Sequence, residues 1–266
     1  MTSAKYPEII DIHSHIYPEK IASIAVSSIR SFYEIPMHGK GTVHDLAKLE
    51  HRAGIERFVV SSTATSPQQV PAINNFLAEV SERFTQVLSF GTIHPEFPSP
   101  KKAINQIISL GLKGVKLHPD FQKYNIDDPL MFPIYEAIEG QLPILFHIGD
   151  NRMDYSSPYR LVKILDHFPG LTAIAAHLGG YRVWHGEAQA LLGREVYIDT
   201  SSSLMFLNQE TAVNIIRQHG INKVLFGTDY PMWSPQAELK RFLSLGLTKE
   251  ENQAILSENA KKVLGL

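Results

Sequence analysis

Eight short apolar runs rich in β-branched residues recur along the chain, and each is followed by a stretch of helical character. The runs cover 9–16, 57–62, 87–93, 114–118, 143–148, 172–178, 196–200 and 224–228. Strand–helix alternation of this kind calls for parallel strands joined by helical crossovers. Eight repeats in 266 residues match a (β/α)8 TIM barrel and predict one barrel domain over 1–266. With 44% apolar residues, a chain of this length can bury a core of that size.

The helical halves carry their own start and stop signals. Thr42 precedes an amphipathic run to Ala53, with Gly54 as its stop. Ser66-Pro67 opens a run in which Ala72, Phe76, Leu77 and Val80 recur at helical spacing. Thr248 and Glu251 form a capping-box pattern ahead of a last helix that packs Ile255, Leu256, Ala260 and Val263. The connection after the first strand is long, about 17–42, and 18–31 within it reads as an inserted helix. Such a helix overhangs the strand ends, where it either shapes a substrate pocket or packs against the barrel edge.

Charge and composition narrow the function. The net charge is -2 with no basic block, which argues against nucleic acid or an anionic membrane as partner. Met1 to Glu8 shows no signal-peptide pattern, and no apolar window is long enough to span a bilayer. A cytoplasmic location is the expectation. With no cysteine, disulfide and thiolate chemistry are excluded, so any metal must be held by His, Asp, Glu or a modified Lys.

The C-terminal ends of the strands form the active face of a TIM barrel. The first run ends in Asp11-Ile12-His13-Ser14-His15, and strict alternation puts Asp11, His13 and His15 on one face. Two imidazoles at that spacing can reach one metal ion. Later strand ends supply His94, then Lys116 and His118, His147, His177, Asp199 and Asp229. Six of the 12 histidines thus fall on a small part of the chain. Buried ionisable groups are costly unless paired or bound to metal, so this convergence points to a metal site.

These stretches resemble the amidohydrolase superfamily, in particular the amidohydrolase-related group that also contains non-oxidative decarboxylases. The resemblance is carried in order by Asp11–His15, Gly114–Pro119, Leu142–Gly149, Ala176–Gly180, Tyr197–Ser201 and Leu225–Pro231. It implies His13, His15, His147 and Asp229 as metal ligands. It also implies Asp229 as the acceptor of a water proton and His177 as the residue that polarises the substrate or helps activate the water. Imidazoles with a carboxylate suit zinc, with manganese, cobalt or iron as other divalent candidates, and one ion is favoured over two.

Several positions keep two readings. Lys116 is a carboxylated bridge between two metals in binuclear relatives; here it can instead present an ammonium to substrate or cap a strand. His118 and His94 either line the site or are structural. Asp11 reads as a partner of the ligands or a satisfied core carboxylate, and Asp199 as a substrate-orienting group or part of a hydrogen-bonded loop with Thr200–Ser203. Arg152, Arg160 and Arg182 follow active strands and could meet an anionic substrate, or be solvated. Tyr181, Trp184 and Trp233 line a pocket or simply pack. His38, His44, His51, His167, His185 and His219 read as surface residues.

The expected activity is hydrolysis of a C–O or C–N bond in a small carboxylated lactone, ester or amide by metal-activated water. The alternatives are a metal-dependent decarboxylase of an aromatic or enoic acid and a barrel that binds without chemistry. A homodimer is compatible with the fold.

Overall fold

The computed structural model describes residues 8–266, so most of the Met1–Glu8 segment lies outside the described residues. Eight strands appear where the apolar runs predict them: β1 (Ile10–His15), β2 (Arg57–Ser61), β3 (Val87–Thr92) and β4 (Gly114–Leu117), then β5 (Ile144–Phe146), β6 (Ala173–Ala175), β7 (Tyr197–Asp199) and β8 (Val224–Leu225). Each pairs in parallel with the next. The segment after β8 closes the ring onto β1: Ile12 N donates to Phe226 O at 2.9 Å, His15 N to Tyr230 O at 2.7 Å and Asp229 N to His13 O at 2.8 Å.

The helices are α1 (Glu19–Tyr33), α2 (Val43–Ala53), α3 (Val70–Arg83), α4 (Pro100–Ser109), α5 (Pro119–Gln122) and α6 (Phe132–Ile138), then α7 (Pro158–His167), α8 (Gln209–His219), α9 (Pro235–Leu243), α10 (Lys249–Gln253) and α11 (Asn259–Leu264). Their ends follow the sequence signals. Thr42 accepts from Asp45 N, Gly54 takes the left-handed cap, and Thr248 and Glu251 complete a capping box. The inserted helix α1 sits between β1 and α2 and runs two residues past the predicted end, to Tyr33. Among the described residues, no helix is long and apolar enough to cross a membrane.

Two apolar layers hold the barrel. Inside it, Ile10, Ile12, Val59, Phe90, Leu145, Ile174 and Leu225 meet Ala260, Val263 and Leu264 of α11, which closes the floor. Outside, alternate strand residues such as Phe58, Val60, Val115 and Phe146 pack under the helices. Burial of this kind is worth about 25 cal/mol per Å² of apolar surface and is the main drive for closure.

One expectation fails in β1. The register shifts between Asp11 and Ser14, a β-bulge that breaks the alternation. Asp11 therefore does not share a face with His13 and His15. Its carboxylate accepts from Ser14 Oγ at 2.7 Å, Thr228 N at 3.0 Å and His13 N at 2.9 Å, which ties β1 to the end of β8. It is a satisfied core carboxylate. The bulge leaves the two histidines aimed together toward the metal cluster.

Candidate metal centre

Four imidazoles, one amine and one carboxylate converge at the C-terminal mouth of the barrel. His13 Nε2 lies 3.2 Å from His15 Nε2 and 3.0 Å from Lys116 Nζ. Asp229 Oδ1 stands 3.2 Å from His15 Nε2 and 3.7 Å from His13 Nε2. His177 Nε2 faces His147 Nδ1 at 3.0 Å, and the His13 and His177 rings stack with centroids 5.3 Å apart. His13, His177, His147 and Lys116 are buried, and burial sets their protonation. It pushes His13 down to about 4, with Lys116 adding to the shift and Asp199 opposing it. Burial likewise lowers His147 and His177, and brings Lys116 down to about 8. Asp229 stays well below the usual carboxylate range: burial opposes this, but the His15 hydrogen bond and the neighbouring imidazoles prevail.

The outer ring nitrogens fix which way the lone pairs point. His13 Nδ1 donates to Asp199 Oδ2 at 2.9 Å, and His177 Nδ1 to the Ser201 carbonyl at 3.1 Å. Carboxylate and carbonyl only accept, so both rings carry the proton on Nδ1 and turn an Nε2 lone pair inward. His15 Nδ1 rests 3.1 Å from Ser61 Oγ, and its Nε2 donates to the Asp229 carboxylate at 3.2 Å, the contact that a cation would replace. Acceptors this close repel unless a cation lies among them, so the donor set fits a divalent metal ion.

His147 lines the same chamber as His13, His15 and Asp229. The metal-competent triads are His13–His15–Asp229, His13–His177–Asp199 and His118–Asp120–His147, each with ligand atoms within 4.8 Å of one another. His147 adjoins the first group, with its Nδ1 at 3.0 Å from His177 Nε2. Its Nε2 lies 3.4 Å from Asp120 Oδ2, a carboxylate placed to hold that side of the ring. Asp120 follows His118 by two residues, and that His-Pro-Asp spacing was the signal for it. Burial raises Asp120 to about 6, against the 2.6 Å hydrogen bond from Ser156 Oγ.

The remaining candidates divide. His118 lines the chamber, stacked on His147 at 4.0 Å and on Phe121 at 3.8 Å, and shares a 3.1 Å hydrogen bond with Tyr33 OH. Tyr33, at the end of α1, is the site residue no sequence pattern marked. Asp199 belongs to a hydrogen-bonded loop: besides His13 it accepts from His177 N and from Ser201 N and Oγ. Trp233 Nε1 donates to Ser202 Oγ, which donates to Asp229, so Trp233 positions that carboxylate through the serine. His94 sits apart, accepting from Glu96 N in its own turn. Arg152 is taken up by Asp150 and the Phe32 carbonyl, Arg160 by Asp127 and Asp154, and Arg182 lies over the Phe206 ring at 3.8 Å. His219, read as a surface residue, is buried and hydrogen-bonded to Val196 O at 2.8 Å. His177, Ser202 and Asp229 all hold positive φ, uncommon for residues other than glycine and concentrated here at the cluster.

A family model described as amidohydrolase matches residues 10–266. The chain belongs to the amidohydrolase family. Its barrel is similar to 5-carboxyvanillate decarboxylase from Sphingomonas paucimobilis, at 15% identity over 97% of this chain and 99% of that one, with a TM-score of 0.77. A TIM-barrel protein from Bordetella bronchiseptica matches at 20% identity over 97% and 98%, with a TM-score of 0.79. A dihydroxybenzoic acid decarboxylase from Polaromonas, solved with manganese and 2-nitroresorcinol, matches at 15% identity over 97% of each chain, with a TM-score of 0.77. No curated protein matches the chain in sequence. These likenesses show the barrel.

Proposed function

We propose that this amidohydrolase-family member is a metal-dependent enzyme that removes carbon dioxide from a small carboxylated substrate. Lys116 carries the reading. Its side chain is fully buried, and among the described residues no carboxylate lies within ion-pair distance of its ammonium; its hydrogen bond goes to an imidazole. A buried cation is costly without an anion, and a substrate carboxylate supplies one. The decarboxylases of the same fold support the choice of reaction.

His13, His15 and Asp229 would hold one divalent ion, with His177 and His147 beside it; zinc and manganese both suit the donors, and the Polaromonas neighbour holds manganese. When bound, the ion supplies Lewis acidity against the negative charge that develops on the substrate. The chain's residues do the rest. Tyr33, Phe121 and Met232 wall the chamber, and Lys116, behind His13, would draw the carboxylate by its charge. The bond from carbon to carboxylate breaks, carbon dioxide leaves, and the electron pair stays on the carbon, which takes up a proton. Lys116 or His177 would hold that proton.

Hydrolysis is the second reading, favoured by one observation: Asp229 is ionised against the imidazole cluster, as a base taking a proton from attacking water would be. Incubating metal-loaded protein with hydroxybenzoic and enoic acids, and in parallel with lactones, esters and amides, separates the two. Labelled carbon dioxide from a carboxyl-labelled acid supports decarboxylation. Oxygen-18 from water in a new carboxylate, with no carbon dioxide from any acid, overturns it in favour of hydrolysis.

A further inference from the structure

The chamber over the imidazoles is small, about 30 Å³, room for a water-sized group. Next to it, between α1 and α3, lies a cleft of about 720 Å³, within the usual range for small-molecule sites. Its walls are Ala25 and Phe32 of α1 and Ala72, Ile73 and Phe76 of α3, and none of its lining residues is charged. Tyr17, Ile29 and Phe121 line both spaces, so cleft and chamber adjoin across these side chains. Ile21 and Ile24 stand at its rim 49% and 67% exposed, large apolar side chains left in water beside an open apolar surface.

We propose that the cleft holds an apolar arm of the substrate while its carboxylate faces the chamber across the shared wall. The substrate class is then an amphiphilic carboxylic acid bearing an alkyl chain or an alkyl-substituted ring. This rests on the carboxylate reading of the site and adds to it a specificity that the metal cluster does not set. The charges lie at the chamber end and the uncharged walls at the other, and this polarity matches one molecule with two ends. An extended peptide would need polar partners along its backbone, and most of the lining is apolar.

The test is calorimetric titration of metal-loaded protein with butanoate, hexanoate, octanoate and decanoate, in the wild type, in Ala72→Trp, which fills the cleft from the exposed face of α3, and in the size-neutral control Ala72→Ser. In the wild type and the control, affinity should climb about fourfold per added methylene. In Ala72→Trp that climb should vanish, while butanoate affinity and bound metal stay as in the wild type. A flat series in the wild type, or an equal climb in Ala72→Trp, overturns the proposal. 1-Octanol, which has no carboxylate, separates the two ideas. If no acid binds but octanol binds the wild type and not Ala72→Trp, the cleft site stands and the carboxylate reading fails. Sedimentation velocity covers a second copy of the chain as the occupant: self-association lost in Ala72→Trp, with no alkanoate series, overturns the substrate assignment.

Discussion

Asp199→Asn should cost the protein its metal without costing it the fold. Asp199 accepts on two sides: Oδ2 from His13 Nδ1, and Oδ1 from His177 N, Ser201 N and Ser201 Oγ. Asparagine keeps one oxygen. If it faces the three donors on the Oδ1 side, its NH2 points at His13 Nδ1, which must then accept, and the proton moves to Nε2 where the ion belongs. If the oxygen faces His13 instead, three hydrogen bonds are lost. At about 1 kcal/mol each, recovering the ligating tautomer costs about 3 kcal/mol, a drop of roughly 150-fold in metal affinity. That slightly exceeds the 10–100-fold range typical of groups that orient metal-bound histidines. Competition for zinc and for manganese against a chromophoric chelator measures it, with circular dichroism confirming that the variant is folded. Affinity within about twofold of wild type in a folded Asp199→Asn variant would refute the tautomer argument.

Three further outcomes are expected. Burial lowers His219 to about 4 from an ordinary 6.5, so the unfolded chain takes up its proton first and stability is lost as pH falls from 6.5 toward 4. Urea titrations should show the wild type losing about 3 kcal/mol more than His219→Gln over that window, and parallel losses would discard the idea. Stripping the metal with a chelator should lower stability by about 4 kcal/mol if the ion is held at roughly a thousandfold above its Kd, read as a fall in Tm that added zinc or manganese reverses. Gly149, two residues past His147, holds φ +76°, and a Cβ there would stand 2.7 Å from Tyr181 N. Gly149→Ala should therefore destabilise by more than about 1 kcal/mol in chemical denaturation, and an unchanged midpoint would count against the close approach.

Sequence pattern located the strands because each had to be apolar on one or both faces, and it located His13, His15, His147, His177 and Asp229 because ionisable groups at strand ends are expensive. It failed where tertiary structure decides. The bulge in β1 depends on pairing with β2 on one side and with the segment after β8 on the other, so nothing in Asp11–His15 announced it. Tyr33 reaches the chamber only because α1 folds back over the barrel mouth. His219 is a different failure. Ala212, Ile215 and Ile216 form the buried stripe of α8, and His219 continues it at the same spacing, so periodicity did hold the signal.

The closure of the ring has a consequence for when the protein can acquire its metal. Asp11 and Thr228 meet across 217 residues, and one residue further along Asp229 joins His13. A nascent chain halted before β8 lacks Asp229 and the α11 floor, so its His13–His15–Asp229 group is incomplete. Contacts of such long sequence separation form late, after most of the loop entropy has been overcome. Metal capture by the His13–His15–Asp229 group is therefore an event of the finished fold rather than of synthesis. Which ion the enzyme carries is then decided by the metals available where folding ends, and by the rigidity of the site they meet.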